Sequence, residues 1–360
     1  MSDPLPRRTR RPGSPAHLVP SVVEVSPADT IQRIIAGGLL ARALDVFVEL
    51  GCPQQLAIYG EQSAQELAKR VRAQPRQLAT ILNALLSDSI VNRTEIGHYV
   101  LGMTGQTLLA DHENTMLPSV RINAHRLWRA AMDELTDTVR TGRAAVTDAH
   151  GGLYAYLEAH PETAALFDWY MESRTRRIAP AVARREFGAT VVDLGGGTGH
   201  LLAAVLRAHR DATGVLVERE SVARRARAYL EEQNIGGRWE VLAGDIFHTI
   251  PPGTDYVLAS VLHNLDDARA GSLLAAVRDT MTADSRLWLI DMLTPGGSEP
   301  HPAHAIALRM LGLFATTERT VQQYTDLLTG AGLWPDRRMQ SLPWGLSLIT
   351  CTIAPPPAGS

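Results

Sequence analysis

Cysteine is nearly absent from this 360-residue sequence: only Cys52 and Cys351 occur, at opposite ends of the chain. Two thiols so placed make neither a disulfide framework nor a metal cluster, and they suit a reducing cytoplasm. Long apolar runs are missing too. The stretch Ile34 to Leu50 is interrupted by Arg42, Asp45 and Glu49, so nothing approaches the ~18 residues that span a bilayer, and no membrane partner is expected. No charge of one sign dominates: 35 Lys and Arg face 38 Asp and Glu, a net charge of −3, which removes the global basic field that advertises nucleic acid or anionic lipid. Residues 1–26 carry Arg7, Arg8, Arg10 and Arg11 among prolines without an apolar h-region, so they read as a disordered tail rather than a signal peptide. Residues 354–360, rich in proline, read as a second tail. His301 and His304 have no carboxylate or thiolate at ligand spacing, so no metal is assigned. No internal repeat is detectable. What remains is ordinary globular composition, 45% apolar and 20% charged, with length for about two domains at ~100–200 residues each.

The first domain is read over residues 27–110. Asp29 and Thr30 precede Ile31, Ile34, Ile35, Leu39, Leu40, Leu44, Phe47 and Leu50, a helical period that Gly51 closes. Ser63-Ala64-Gln65-Glu66 is a capping box that opens a short helix over Ala64–Val71, and Pro75 opens another carrying Leu78, Ile81, Leu82, Leu85 and Leu86 on one face. Ile90–Arg93 and His98–Leu101 alternate as strands around Thr94–Gly97, completing a winged-helix pattern. Such units often bind DNA, yet between residues 60 and 110 five basic residues (Lys69, Arg70, Arg72, Arg76, Arg93) barely exceed four acids (Glu61, Glu66, Asp88, Glu95). That is a weak phosphate footprint, so a homodimer through this domain is the expected use of its exposed apolar helix. Residues 111–187 are mainly helical, with Leu127, Trp128, Ala131, Met132 and Leu135 on one face, and form the linker and substrate lid.

From residue 188 to 353 the texture changes to apolar runs alternating with helices: Thr190–Leu194, Gly214–Val217, Trp239–Leu242, Asp255–Ala259 and Leu287–Ile290. This alternation defines an α/β class, a doubly wound Rossmann-like seven-stranded sheet. Two closing runs, Arg337–Leu342 and Leu346–Ile353, lie so close together that the sheet should end antiparallel. The first strand runs into Gly195-Gly196-Gly197-Thr198-Gly199-His200, where a ligand can lie against bare backbone. A dinucleotide fingerprint needs a third glycine where His200 stands, so hydride-transfer cofactors are disfavoured. Asp193 would repel a pyrophosphate and face a cationic cofactor instead. Glu218 ends the second strand, where a carboxylate accepts from both hydroxyls of a ribose. Asp245 and Ile246 follow the third, an acceptor and an apolar shelf for an adenine.

With these elements in this order, the chain resembles the class I S-adenosylmethionine-dependent methyltransferases, and specifically the two-domain plant-caffeate and bacterial natural-product O-methyltransferase family, from Asp29 to Ile353. The winged-helix half resembles that family's dimerisation domain, and Val261-Leu262-His263-Asn264-Leu265-Asp266-Asp267 its catalytic segment. The resemblance places Asp193, Gly195, Gly197, Glu218, Asp245 and Ile246 on cofactor-binding positions and His263 on the general base. Asp291 and Glu318 fall where carboxylates flank that base, and Met171 on a substrate position. It implies bound S-adenosylmethionine and a small aromatic or polyketide-like acceptor. Leu265 stands where the family usually has tryptophan, and Ala307-Leu308-Arg309-Met310 replaces a common Asp-Leu-Asn-Met.

A methyl on a sulfonium is already activated, so the enzyme must align the acceptor and take its proton, a task that suits a histidine of pKa ~6.5. A carboxylate beside the imidazole fixes its tautomer and stabilises the imidazolium; Asp291, shorter than the family's glutamate, reaches less far than Glu318. Phe167, Trp169, Met171, Leu311 and Phe314 are candidates for an aromatic acceptor pocket. Arg309 would project a guanidinium into that pocket, and calls either for a carboxylate or polarised carbonyl on the substrate or for a neighbouring acid. The leading function is O-methylation of a phenolic or enolic hydroxyl of a secondary metabolite. The alternative is a methyltransferase-like enzyme that uses the bound sulfonium for hydroxylation, decarboxylation or pericyclic chemistry.

Overall fold

A computed structural model describes residues 26–297 and 300–354. The expected tails, 1–26 and 354–360, lie outside the described residues except for Ser26 and Ala354. The chain divides into two compact units, one ending at Arg42 and one beginning at Ala43. Helix α1 (Pro27–Glu49) starts in the first, three residues earlier than its sequence suggests. Asp29 does not cap it from in front; instead the Ser26 hydroxyl accepts from the Asp29 N–H at 3.1 Å while the Asp29 carboxylate accepts from the Ser26 N–H at 3.0 Å, a reciprocal cap.

In the second unit, Gly51 ends α1 in the left-handed region, as the sequence suggests, and at once begins α2 (Cys52–Tyr59), a helix absent from the sequence analysis. The Ser63–Glu66 capping box opens α3 (Ala64–Arg70), and Pro75 opens α4 (Pro75–Ala84). Strands β1 (Val91–Arg93) and β2 (Tyr99–Leu101) pair antiparallel as the wing. Phe47, Leu56, Leu67, Leu78, Leu82 and Val91 form one buried core beneath them. Seven helices follow: α5 (Met103–Gln106), α6 (Leu117–Ala124), α7 (Arg126–Asp133), α8 (Leu135–Thr141), α9 (Ala145–His150), α10 (Leu153–Ala159) and the long α11 (Pro161–Val182). Proline begins α11 where its missing N–H costs nothing.

The sheet is built from β3 (Thr190–Leu194), α12 (His200–Ala208), β4 (Thr213–Glu218), α13 (Glu220–Glu231), β5 (Trp239–Ala243), β6 (Asp255–Ala259), α14 (Asp267–Thr280), β7 (Arg286–Met292), α15 (Pro302–Phe314), α16 (Val321–Gly330), β8 (Trp334–Pro335), β9 (Gln340–Ser341) and β10 (Leu346–Thr352). The order is β5-β4-β3-β6-β7-β10-β8, with β9 also on β10. The first five are parallel and β10 runs antiparallel to β7, as the α/β reading requires. One expectation needs correcting. The run Arg337–Leu342 is not a full strand: only Gln340 and Ser341 pair, and Trp334–Pro335 supplies the other edge piece. Pro335 lacks a donor and belongs on an edge. The inner strands read as continuous apolar runs because helices cover both faces, one core lying under α11 to α13 and another under α14 and α16.

This strand order matters for function. The chain leaves β3 toward β4 and β5, then returns across to β6 and β7, so the carboxyl ends of β3 and β6 open on a topological switch point, where open α/β sheets bind ligands.

Candidate functional site

Three loops meet at that switch point. After β3 the chain turns sharply through Gly195 and Gly197, with φ of +73° and +60°. At Gly196 a side chain is excluded by contact, since an added Cβ would lie 2.2 Å from the Asp193 carboxylate. Asp193 is 1% exposed, and neither of its carboxylate oxygens has a hydrogen-bond partner among the described residues. Burial, then the nearby charge of Glu218, pushes its pKa up to about 7. An orphaned buried carboxylate of this kind signals a missing partner. Glu218, at the end of β4, accepts from the N–H groups of Gly197 at 3.2 Å and Arg219 at 2.9 Å; burial raises its pKa as well. Asp245, after β5, is exposed and accepts from the Phe247 N–H at 3.0 Å, while Ile246 lies half-buried with its Cδ1 at 3.9 Å from where a Gly195 Cβ would stand. The structure thus brings together Asp193, Gly195, Gly197, Glu218 and Ile246, with Asp245 at the rim. Bare backbone flanked by a buried acid, Asp193, and a half-buried one, Glu218, fits a cationic ligand that carries hydroxyls.

His200 occupies the place of the absent third glycine without blocking α12. Its buried ring stacks on Tyr229, centroids 3.8 Å apart, with Nε2 3.0 Å from Glu172 on α11.

Across the switch point, β6 ends at Ala259 and leads into a 3-10 turn, Leu262–Asn264, that holds His263 at 5% exposure. Its Nδ1 lies 3.1 and 3.2 Å from the two Glu318 oxygens and 3.6 Å from Asp291 Oδ1. Burial alone would lower the imidazole pKa, but Asp291 and Glu318 outweigh it and hold the pKa above its usual value, with Arg174 opposing them. The Tyr324 hydroxyl donates to Asp291 Oδ2 at 2.8 Å, and burial pushes the Asp291 pKa up to about 6.

Several supporting residues had escaped the sequence reading. Arg319 donates to the carbonyls of Leu262 and Leu265 at 2.9 and 2.7 Å and to Asp267 at 2.8 Å, clamping both ends of the His263 turn. Its place directly after Glu318 was the available clue. The Thr316 hydroxyl donates to the His263 carbonyl at 2.8 Å. Asn264 Nδ2 donates to the Tyr154 hydroxyl at 3.0 Å, and the Arg219 guanidinium lies 4.3 Å from that ring; a lone tyrosine in a helical stretch carried no signal.

Facing this turn is an aromatic cluster on α7, α10, α11 and α15. Phe167 lies 6.1 Å from Trp128, 6.5 Å from Tyr154 and 6.4 Å from Tyr170, and Phe314 lies 5.9 Å from Tyr154. Met171 packs into the same cluster. Trp169 does not: it packs on the N-terminal core, 5.7 Å from Arg121, because it falls on the other face of α11. Arg309 reaches the Tyr170 hydroxyl at 2.5 Å and pairs with no acid among the described residues, so the neighbouring-acid explanation of this residue falls away.

Fold and switch-point geometry define a class I methyltransferase. A family model described as the O-methyltransferase domain matches residues 132–334. The mitomycin biosynthesis 6-O-methyltransferase of Streptomyces lavendulae is 34% identical, covering 88% of this chain and 91% of that one. Among solved structures, the mitomycin 7-O-methyltransferase MmcR superposes with a TM-score of 0.82 at 31% identity, covering 91% of this chain and 98% of that one. An O-methyltransferase from neocarzinostatin biosynthesis, in complex with S-adenosylmethionine and 2-hydroxy-5-methyl naphthoic acid, gives 0.74 at 27%, covering 87% and 95%. The chain belongs to this O-methyltransferase family, and its cofactor is S-adenosylmethionine. None of these three is named for chemistry other than methyl transfer. No helix among the described residues is long and apolar enough to cross a membrane.

Proposed function

We propose that the protein methylates a phenolic or enolic hydroxyl of an aromatic natural product, with His263 as general base. Bound S-adenosylmethionine supplies an electrophilic methyl group. Asp193, Glu218, Asp245, Ile246 and the backbone at Gly195 and Gly197 would hold it, because a buried carboxylate with no hydrogen-bond partner among the described residues, beside a half-buried second one, favours a positively charged, hydroxyl-bearing molecule over a pyrophosphate.

The observation that carries the reading is the pairing at His263. With Nδ1 engaged by Glu318, its proton is donated to the carboxylate and the lone pair resides on Nε2, the atom that takes the acceptor's proton. Glu318, and Asp291 behind it, then stabilise the imidazolium as the phenolate forms. Arg319 and Thr316 act on the turn and keep the ring in place. Phe167 and Met171 offer an apolar wall for the acceptor. We further propose that residues 27–110 form a dimerisation domain, that 111–187 serve as linker and acceptor lid, that 188–353 are the catalytic domain, and that the enzyme works as a cytoplasmic homodimer. The exposed apolar side chains of Ile31, Ile34, Ile35 and Leu39 support the dimer. Replacing His263 by Ala should lower methyl transfer to a phenolic acceptor by roughly 10²–10⁴-fold with cofactor affinity retained. Undiminished turnover would remove His263 from the chemistry.

A further inference from the structure

Among the described residues, two guanidinium groups near the His263 turn have no carboxylate to answer them. Arg174 on α11 and Arg309 on α15 converge from different elements on one phenol, Tyr170, which is 5% exposed. Arg309 Nη1 donates to the Tyr170 hydroxyl at 2.5 Å, and the guanidinium carbons of Arg174 and Arg309 each lie 5.7 Å from its ring centroid. Neither arginine forms an ion pair among the described residues, whereas their neighbours do: Arg176 with Glu172, Arg225 with Asp168, and Arg319 with Asp267. Both are half-buried.

The place of this pair is informative. Tyr170 belongs to the aromatic cluster around Phe167 and Met171, α15 packs against the 3-10 turn of His263, and the charge of Arg174 is felt at the imidazole. Burial by itself would raise the Tyr170 pKa, as it does at Tyr154, yet the two cations hold it below its ordinary value. A half-buried cation without a counter-charge is costly, and a planar guanidinium is shaped to receive a carboxylate.

We propose that Arg174, Tyr170 and Arg309 form an anion clamp that selects acceptors bearing a carboxylate on the same ring system as the hydroxyl to be methylated, so that the substrates are aromatic hydroxy acids. This rests on the methyltransferase reading, which makes the space before His263 the acceptor's. A carbonyl would give the clamp a dipole to hold, and a carboxylate gives it a charge; a matched acid and amide separate the two.

The test is equilibrium binding of 3-hydroxy-2-naphthoate and 3-hydroxy-2-naphthamide to the full-length protein saturated with S-adenosylhomocysteine. The wild type should hold the acid about ten- to a hundredfold more tightly than the amide. That preference should shrink severalfold in Arg309→Gln and in Arg174→Gln, and disappear in the double variant. Equal affinities in the wild type, no binding of either probe, or a preference that survives the double variant would each overturn the clamp. Calorimetric binding of S-adenosylhomocysteine to every variant reports folding and separates the two claims. Intact nucleoside binding with no acid preference sinks the clamp alone, and absent nucleoside binding in the wild type sinks the methyltransferase reading beneath it.

Discussion

Replacing Asp193 by Asn should strengthen the protein without its cofactor and weaken its grip on it. The carboxylate is buried, unpartnered and raised from 3.8 to about 7. Below about pH 4 it is protonated in folded and unfolded chains alike and costs nothing. Between about 4 and 7 the unfolded chain releases its proton while the folded chain retains it, so stability declines as pH rises, and above about 7 the full penalty is present. At ~1.4 kcal/mol per pH unit the whole climb amounts to about 4 kcal/mol, of which about 2 kcal/mol falls between pH 5.5 and 8. Asparagine has the same shape and does not titrate, so the constant cost of its own buried amide cancels when the two pH values are compared. Urea unfolding of wild type and variant without nucleoside, at pH 5.5 and pH 8, should show the gap between them shift by about 2 kcal/mol in the variant's favour. Cofactor affinity should meanwhile fall by roughly ten- to a hundredfold, since a charge-assisted contact is lost. Parallel pH dependences would mean that Asp193 is not an orphaned acid, and the argument from its missing partner would fail.

Two further outcomes follow from other parts of the molecule. In Glu318→Gln the imidazole of His263 keeps an acceptor but loses a charge, worth about 1–1.5 kcal/mol as the difference between charged and neutral hydrogen bonds. Its raised pKa should therefore fall. Because the base works when neutral, the acid limb of the kcat profile should move to lower pH while the plateau drops by about tenfold; an unmoved limb would separate Glu318 from the base. For the N-terminal helix, Ile35→Asp should shift the mass measured by light scattering from two chains toward one, and an unchanged mass would place the subunit interface elsewhere.

The parallel core was legible because strands buried on both faces must be apolar throughout: Thr190–Leu194 and Asp255–Ala259 appear in the structure with the bounds their sequence suggests. The edge was less so. Arg337–Leu342 looks like a strand, but there pairing is decided by what β10 leaves open, and Pro335 and Pro343 flank it. Helix α2 was hidden because Gly51 ends one helix and starts the next with no intervening polar loop. In the candidate site, the glycine loop was readable from order along the chain, and His263 with its two acids from the resemblance to the family. Residues acting from other elements were not, since Tyr154 reaches Asn264, and Tyr324 reaches Asp291, only once the helices pack. The acceptor side could have been read further: Phe167, Tyr170, Met171 and Arg174 recur at helical spacing and share one face of α11, which also explains why Trp169 turns away.

The most direct measurement is a calorimetric titration of S-adenosylhomocysteine into the purified protein and into its Glu218→Ala variant. The geometry of the β3 and β4 ends calls for one nucleoside per chain in the wild type and a severalfold or greater loss of affinity in the variant. No heat in the wild type, with no nucleoside carried through purification, would contradict the assignment of this sheet edge as the cofactor site.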